Sequence, residues 1–288
     1  NRCFGVCDII FPMPELPDLE AVRRILNGEI AGARVAQAKA MPPLAIRHPA
    51  AANDLSLLSG DALLRVDRRG KYLLFVFSSG RILAVHSMLA GRFQYCDRRE
   101  NQRPGTCFAL RFESGKELRY FDPKLMGKVY LVEKGKLSQI PNWGEMGPDA
   151  LDESLTAEVF QSRIKKFTGQ VKNILTNEKF VAGIGNAYAD EILWSARVYP
   201  FWPRTGLSEE ETARLYPAMR SVLTEAVEIL SERMKADISE EIRDFLKVHR
   251  RGGKPCPRCG SPIAQVEANR RITSFCPKCQ GERRGFSP

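Results

Sequence analysis

Nothing in this sequence is apolar for long enough to cross a bilayer. Its longest apolar runs, such as residues 72–77 and 82–85, have the length of a strand, against the roughly 18 residues that a membrane helix needs. The first twelve residues lack the basic, apolar and small-residue regions of a secretory leader. No repeat recurs at a fixed period and no long low-complexity tract interrupts the chain, which sets aside solenoids and fibrous or disordered arrays. The eight cysteines are not spread as a disulfide framework would be. Four form two CxxC pairs near the C-terminus, while Cys3, Cys7, Cys96 and Cys107 lie apart. These absences leave a globular protein of the cytoplasm, with no membrane partner.

What is present in excess is positive charge. A net charge of +10 and a pI near 9.3 call for an acidic partner, of which nucleic acid is the commonest. In a bacterial-type cell that means association with the nucleoid. A hydrophobic content of 43% provides a real core, and 288 residues favour two or three domains over one.

Residues 1–12 differ in character from the rest of the chain and read as an extension outside the mature protein. Met13 opens a sharper pattern, with Asp18 as the cap of a helix reaching about Gly28 and Val22, Ile25 and Leu26 on one face. From Arg34 to Val132 the chain is rich in strand signals. Strands are expected at 62–66, 72–77, 82–85, 107–112, 117–121 and 128–132, separated by Arg69-Gly70, Ser79-Gly80 and Ser114-Gly115 turns. Residues 141–148 break the pattern and read as a linker. Helical spacing follows at 155–166, 169–175, 187–196 and 209–234, and Ser208 with Glu211 forms a capping box for the last. A basic hinge at 250–255 leads into the cysteine module. The expected domains are 13–142, 149–248 and 252–282, in an α+β multidomain chain whose first domain is a β-sandwich with a flanking helix.

Cys256-Pro257-Arg258-Cys259 and Cys276-Pro277-Lys278-Cys279 are separated by 16 residues. Two such knuckles can close a tetrahedral site around one structural zinc ion. The metal would let a piece of about 35 residues fold with little core. Its Arg258, Arg270, Arg271, Lys278, Arg283 and Arg284 suit contact with DNA phosphates.

Proline directly after methionine has chemical meaning. If residues through Met13 are removed, Pro14 gains a free secondary amine with a pKa of about 8, partly neutral and nucleophilic at pH 7. Amines attack carbonyl-like carbons to form Schiff bases. Attack on C1′ of a nucleotide would expel the base and leave an iminium ion, and Glu15 could move protons to and from the sugar. A proline that merely kinks the entry to a strand is the plainer reading of these two residues alone.

Pro14-Glu15-Leu16-Pro17 resembles the opening of the formamidopyrimidine-DNA glycosylase and endonuclease VIII family. Arg68-Arg69-Gly70-Lys71-Tyr72 resembles its internal lysine motif. Residues 181–191, Val-Ala-Gly-Ile-Gly-Asn-Ala-Tyr-Ala-Asp-Glu, resemble its helix–two-turn–helix clamp, and the cysteine module resembles its zinc finger. The similarity spans Met13 to about Gln280. It implies a base-excision-repair enzyme that removes oxidised or ring-opened bases from double-stranded DNA as a monomer. The same enzyme would cleave the abasic site by β/δ-elimination, as a glycosylase and lyase.

By this resemblance Pro14 is the nucleophile, Glu15 the general acid and Lys71 the lysine that assists elimination. Arg271 is the finger arginine linked to phosphate contact and δ-elimination. Asn186 and Lys172 are DNA contacts, and Gly183 and Gly185 bring backbone N–H groups to a phosphate at a helix start. The wedge that fills the gap left by an extruded base falls on Leu89, Lys124 and Met126, where the family often has Met, Arg and Phe. Residues 103–106 replace a histidine-containing turn. Residues 235–245, with Glu240 and Glu241, stand where a Gly-Thr-rich loop caps oxidised purine. A preference for oxidised purine therefore does not follow. The alternative is a non-catalytic binder of damaged DNA: with the extension retained, the Pro14 nitrogen is an amide and cannot form a Schiff base.

Overall fold

Residues 72–77 carry six apolar side chains in a row, and the strand they form is buried on both faces. The computed structural model describes residues 13–41, 54–268 and 271–281; the extension over 1–12 and residues 270 and 282–284 lie outside these. The N-terminal part consists of helix α1 (Leu16–Ile30) and two four-stranded antiparallel sheets. One sheet has β2 (Leu63–Arg69), β3 (Tyr72–Phe77), β4 (Arg81–His86) and β8 (Lys128–Glu133) in that order. The other runs β1 (Val35–Ala40), β6 (Thr106–Phe112), β7 (Lys116–Phe121), β5 (Arg92–Asp97). Their facing sides interdigitate, with Leu73, Phe75 and Leu83 of one packed among Phe93, Phe108 and Leu118 of the other. This is the expected β-sandwich with its flanking helix.

The outer face of β3, with Tyr72, Leu74 and Val76, is covered by Ile140 and Trp143. The Trp143 ring meets Tyr72 edge-on at 5.4 Å, and the Arg69 guanidinium lies 4.8 Å from it. Residues 141–148 are thus a sheet cover as well as a linker, which corrects the reading from composition. A tryptophan in a Pro/Gly-rich stretch was the available signal.

The clamp contains α2 (Ala157–Ile164), α3 (Val171–Leu175), α4 (Asn186–Ala196) and α5 (Glu209–Arg233), the last opened by the expected Ser208–Glu211 capping box. Helix α5 belongs to both cores. Leu215, Met219 and Leu223 pack with the clamp, while Leu230 and the C-cap residue Met234 pack into the sandwich core. The finger is a hairpin of β9 (Ala264–Ala268) and β10 (Arg271–Phe275) with the short α6 (Pro277–Gln280). Two strands, β1 and β5, were not expected. A bulge at Val35/Gln37 breaks the alternation of β1, and β5 (Arg-Phe-Gln-Tyr-Cys-Asp) has no apolar run.

Helix α1 starts two residues before the expected cap. Asp18 lies inside its first turn and its carboxylate accepts the Glu15 N–H at 2.8 Å, capping from within. Among the described residues no helix is long and apolar enough to cross a membrane.

Candidate active site and nucleic-acid interface

Glu15 projects from the entry to α1 to the start of α4. Its carboxylate accepts N–H bonds from Gly185 (2.8 Å), Ala187 (2.8 Å) and Tyr188 (3.2 Å), and the residue is buried. The first N–H groups of a helix have no intrahelical partner, and the helix dipole favours an anion there. Gly183 and Gly185 therefore serve a different anion from the one expected. The Gly185 N–H goes to Glu15, and the Gly183 N–H goes to Glu178 at 3.0 Å. Gly183, at φ +106°, also gives its carbonyl to the Leu16 N–H at 3.0 Å. A Cβ at Gly183 would lie 2.6 Å from the Leu16 side chain. The clamp's turn is thus shaped to hold the N-terminal residues.

Pro14, also buried, precedes Glu15. Beside it lies a small recess between α1, the β4–β5 loop with Ser87 and Gly91, Arg92 at the start of β5, and the segment after α5 with Glu240 and Glu241. Three ion pairs pin that segment to the sandwich and α1. Arg103 meets Asp237 at 3.0 Å, Arg92 meets Glu241 at 3.0 Å, and Arg243 grips Asp18 with both terminal nitrogens at 2.5 and 2.7 Å. Ile238 and Ile242 are buried beneath it.

Lys71 follows Gly70 in the tight β2–β3 turn, where Gly70 has φ +56°. Arg68 anchors that turn to the clamp: its guanidinium bonds both oxygens of Asp149 (2.5 and 3.0 Å) and one of Glu20 (2.9 Å). Asp149 also accepts the Gly70 N–H at 2.7 Å. The Lys71 ammonium, largely buried, lies 2.8 Å from Glu178 Oε1. Near it, burial together with the charges of Lys71 and Lys128 pushes His86 down to about 4, leaving a neutral imidazole whose Nδ1 accepts the Met88 N–H at 3.1 Å.

The expected wedge residues stand on two loops that leave the same end of the sandwich. Leu89 and Met126 are exposed large apolar side chains, and Lys124 is exposed. A Cβ on Gly91 or Gly127 would lie 2.1 or 2.0 Å from the Tyr120 hydroxyl, so both loops close on that one oxygen. Sequence reasoning passed over Leu125, half exposed and between the two wedge positions. Met88 and Leu125 hold φ of 50° and 52°, strain of a kind that collects at functional loops.

A second groove, of about 1050 Å³, runs between clamp and finger and is lined by Lys172, Asn186, Arg271 and Thr273. Arg271 is exposed on it. Asn186 donates one amide hydrogen to Ile272 O at 2.7 Å. Lys172 is committed inward: its ammonium meets Asp190 at 2.6 Å, Thr273 Oγ1 at 2.8 Å and Ile272 O at 3.0 Å. Burial lowers its pKa against the pull of Asp190. The other Asp190 oxygen bonds His249 Nδ1 (2.7 Å) and the Ser274 N–H (3.0 Å). Glu191 accepts the N–H groups of Lys247, Val248 and His249. These two α4 carboxylates, given no role from the sequence, seat the finger.

The four finger sulfurs lie within 4.8 Å of one another, with Cys256–Cys279 at 3.9 Å and Cys259–Cys276 at 3.4 Å. Tetrahedral zinc with Zn–S bonds of about 2.3 Å sets sulfurs about 3.8 Å apart, so Cys256, Cys259, Cys276 and Cys279 fit one structural zinc ion. Trp194 of α4 donates to Cys256 Sγ at 3.4 Å. Arg258 stacks 4.0 Å over the Trp194 ring and donates to its carbonyl, so this finger arginine is held on the clamp.

Three family models match the chain in order. The formamidopyrimidine-DNA glycosylase N-terminal domain covers 13–129, the H2TH domain of the same enzymes 146–237, and the zinc finger found in FPG and IleRS 253–281. A formamidopyrimidine-DNA glycosylase of Pelotomaculum thermopropionicum is 35% identical over 273 residues, 93% of this chain and 99% of that protein. One of Thermus thermophilus is 38% identical over 278 residues, 94% and 99%. The crystal structure of MutM (Fpg) from Thermus thermophilus superposes with a TM-score of 0.81 at 36% identity, covering 94% of this chain and all of that one. A complex between Lactococcus lactis Fpg and DNA containing an abasic site gives 0.82 at 26% identity, covering 93% and 100%.

Proposed function

The chain belongs to the formamidopyrimidine-DNA glycosylase family and is a DNA glycosylase of base-excision repair; we propose that it removes oxidised or ring-opened bases from duplex DNA and then opens the abasic strand, with Pro14 as nucleophile. The observation that carries this reading is the Glu15 carboxylate, held by three backbone N–H groups directly after Pro14. A general acid–base group must be fixed within reach of the reacting atoms, and here the clamp itself does the fixing.

The proposed sequence begins when residues through Met13 are removed and the Pro14 nitrogen becomes a free amine. That nitrogen bonds to C1′ of an extruded nucleotide as the bond from C1′ to the base breaks, and the base leaves with the electron pair and takes a proton from water. Glu15 takes the proton shed by the nitrogen and returns it to the sugar ring oxygen as the ring opens to the iminium ion. The Glu15 carboxylate, left free once the ring oxygen is protonated, takes a C2′ proton, and the electron pair released expels the 3′ phosphate. Lys71, at the β2–β3 turn, assists, and Arg271 on the groove contacts a phosphate and promotes the second elimination. The exposed Leu89, Lys124, Leu125 and Met126 enter the stack as the base leaves. One zinc ion on Cys256, Cys259, Cys276 and Cys279 keeps the finger folded, with Arg271 turned to the DNA and Asn186 on the facing wall. A single copy of the chain supplies all these groups, which supports a monomer as the acting species.

Borohydride trapping tests the nucleophile. Protein beginning at Pro14 is expected to be fixed covalently to lesion-bearing duplex, because reduction locks the iminium. The full 288-residue chain is not, because its Pro14 nitrogen is an amide. Equal trapping of both forms would remove Pro14 from the role and make Lys71 the first suspect. No trapping by either form would favour the non-catalytic binder.

A further inference from the structure

Glu178 lies between the end of α3 at Leu175 and the clamp turn at Gly183, and each of its carboxylate oxygens takes a donor that DNA would need. Oε1 lies 2.8 Å from the Lys71 ammonium and Oε2 accepts the Gly183 N–H at 3.0 Å. The approach is close: a Cβ on Gly70 would lie 3.2 Å from Oε2. An ammonium and a backbone N–H not used in backbone pairing, side by side next to a helix start, are the donor set of a phosphate site. Here a side-chain anion occupies it. Lys71 is largely buried and held in the turn, whereas the Glu178 side chain is 34% exposed. Of the two partners, only Glu178 has an open path outward.

We propose that Glu178 is an internal competitor for DNA: its carboxylate stands in for a backbone phosphate on Lys71 and Gly183, and productive binding exchanges one anion for the other. This rests on the reading that places the duplex against Lys71 and the clamp. The exchange has a direct consequence for affinity. With Glu178 in place, the Lys71 charge is already neutralised, so its meeting with a phosphate releases less net counterion than a free lysine would. Duplex that cannot bring a phosphate fully into the cradle leaves the Lys71–Glu178 pair intact and gains nothing from Lys71. Glu178 thereby weakens binding to DNA that is not bent into the site.

The test uses the full-length zinc-bound protein and a duplex carrying a tetrahydrofuran abasic analogue, with Kd measured across a salt series. Glu178→Gln keeps an oxygen for the Gly183 N–H but removes the charge. It is expected to tighten binding about three- to tenfold at low salt and to steepen the log–log salt slope by about 0.9, one phosphate contact. In a Lys71→Ala background the same change is expected to do nothing. Unchanged or weaker binding by Glu178→Gln, with an unchanged slope, overturns the proposal, as does an equal effect with and without Lys71. A lowered melting temperature together with weaker binding assigns Glu178 a structural role and overturns it too. If Lys71→Ala alone leaves affinity unaltered, the placement of DNA against Lys71 falls and the proposal with it. If Lys71→Ala weakens binding while Glu178→Gln is silent, only the proposal falls.

Discussion

A Cβ on Gly185 would lie 2.3 Å from the Glu15 carboxyl carbon, closer than any packed contact allows. The backbone there has φ −113°, which alanine adopts freely, so the substitution acts on Glu15 and not on the turn. Gly185→Ala is expected to push the carboxylate off its three N–H donors and slow base release about 100-fold, the usual weight of a positioned acid–base group. Single-turnover excision measures this, and an unchanged rate would show that Glu15 needs no such seat. The Gly-Ile-Gly-Asn sequence signalled a phosphate at a helix start, and the anion that the Gly185 N–H meets there is the Glu15 carboxylate. Its identity was not legible, because Glu15 is 170 residues from its donor and nothing local distinguishes a carboxylate from a phosphate. Lys172 has the same difficulty. The resemblance makes it a DNA contact, but Asp190, Thr273 and Ile272 draw it inward.

At the scale of elements, the signals that carried over were those set by local geometry. The Ser208–Glu211 box opens α5 as expected, and the Gly-containing turns bracket the strands. Strand β5 escaped because its buried positions include a glutamine, Gln94, and half-polar strands carry no clear period. The seating of the finger on α4 also escaped, since it depends on carboxylates that look like ordinary surface charge. Asp190 is fully buried between Lys172 and His249. Removing one partner of a buried ion pair strands the other, at a cost of roughly 3 kcal/mol. Asp190→Asn is accordingly expected to lower the melting temperature and to expose residues 250–281 to protease, with zinc content retained. A finger that stays as protease-resistant as before would mean that Trp194 and Glu191 hold it without Asp190.

The whole molecule is a basic protein whose charge is unevenly used. The net +10 was readable at once, but not which cations remain for DNA. Arg68 is spent joining sandwich to clamp through Glu20 and Asp149, Arg243 on Asp18, and Arg258 on Trp194. Arg271, by contrast, lines the 1050 Å³ groove beside Asn186 and is exposed. Each phosphate neutralised adds about 0.9 to the slope of log K against log salt. Binding to lesion-bearing duplex is therefore expected to weaken steeply with salt, and Arg271→Ala to flatten the slope by about that amount. Arg258→Ala, although it removes the same charge from the same finger, is expected to leave the slope unaltered, because its guanidinium is turned to the clamp. The two variants share any general effect of charge, so the difference between them isolates position. Equal flattening by both would place the duplex on the face of Arg258 and away from the groove.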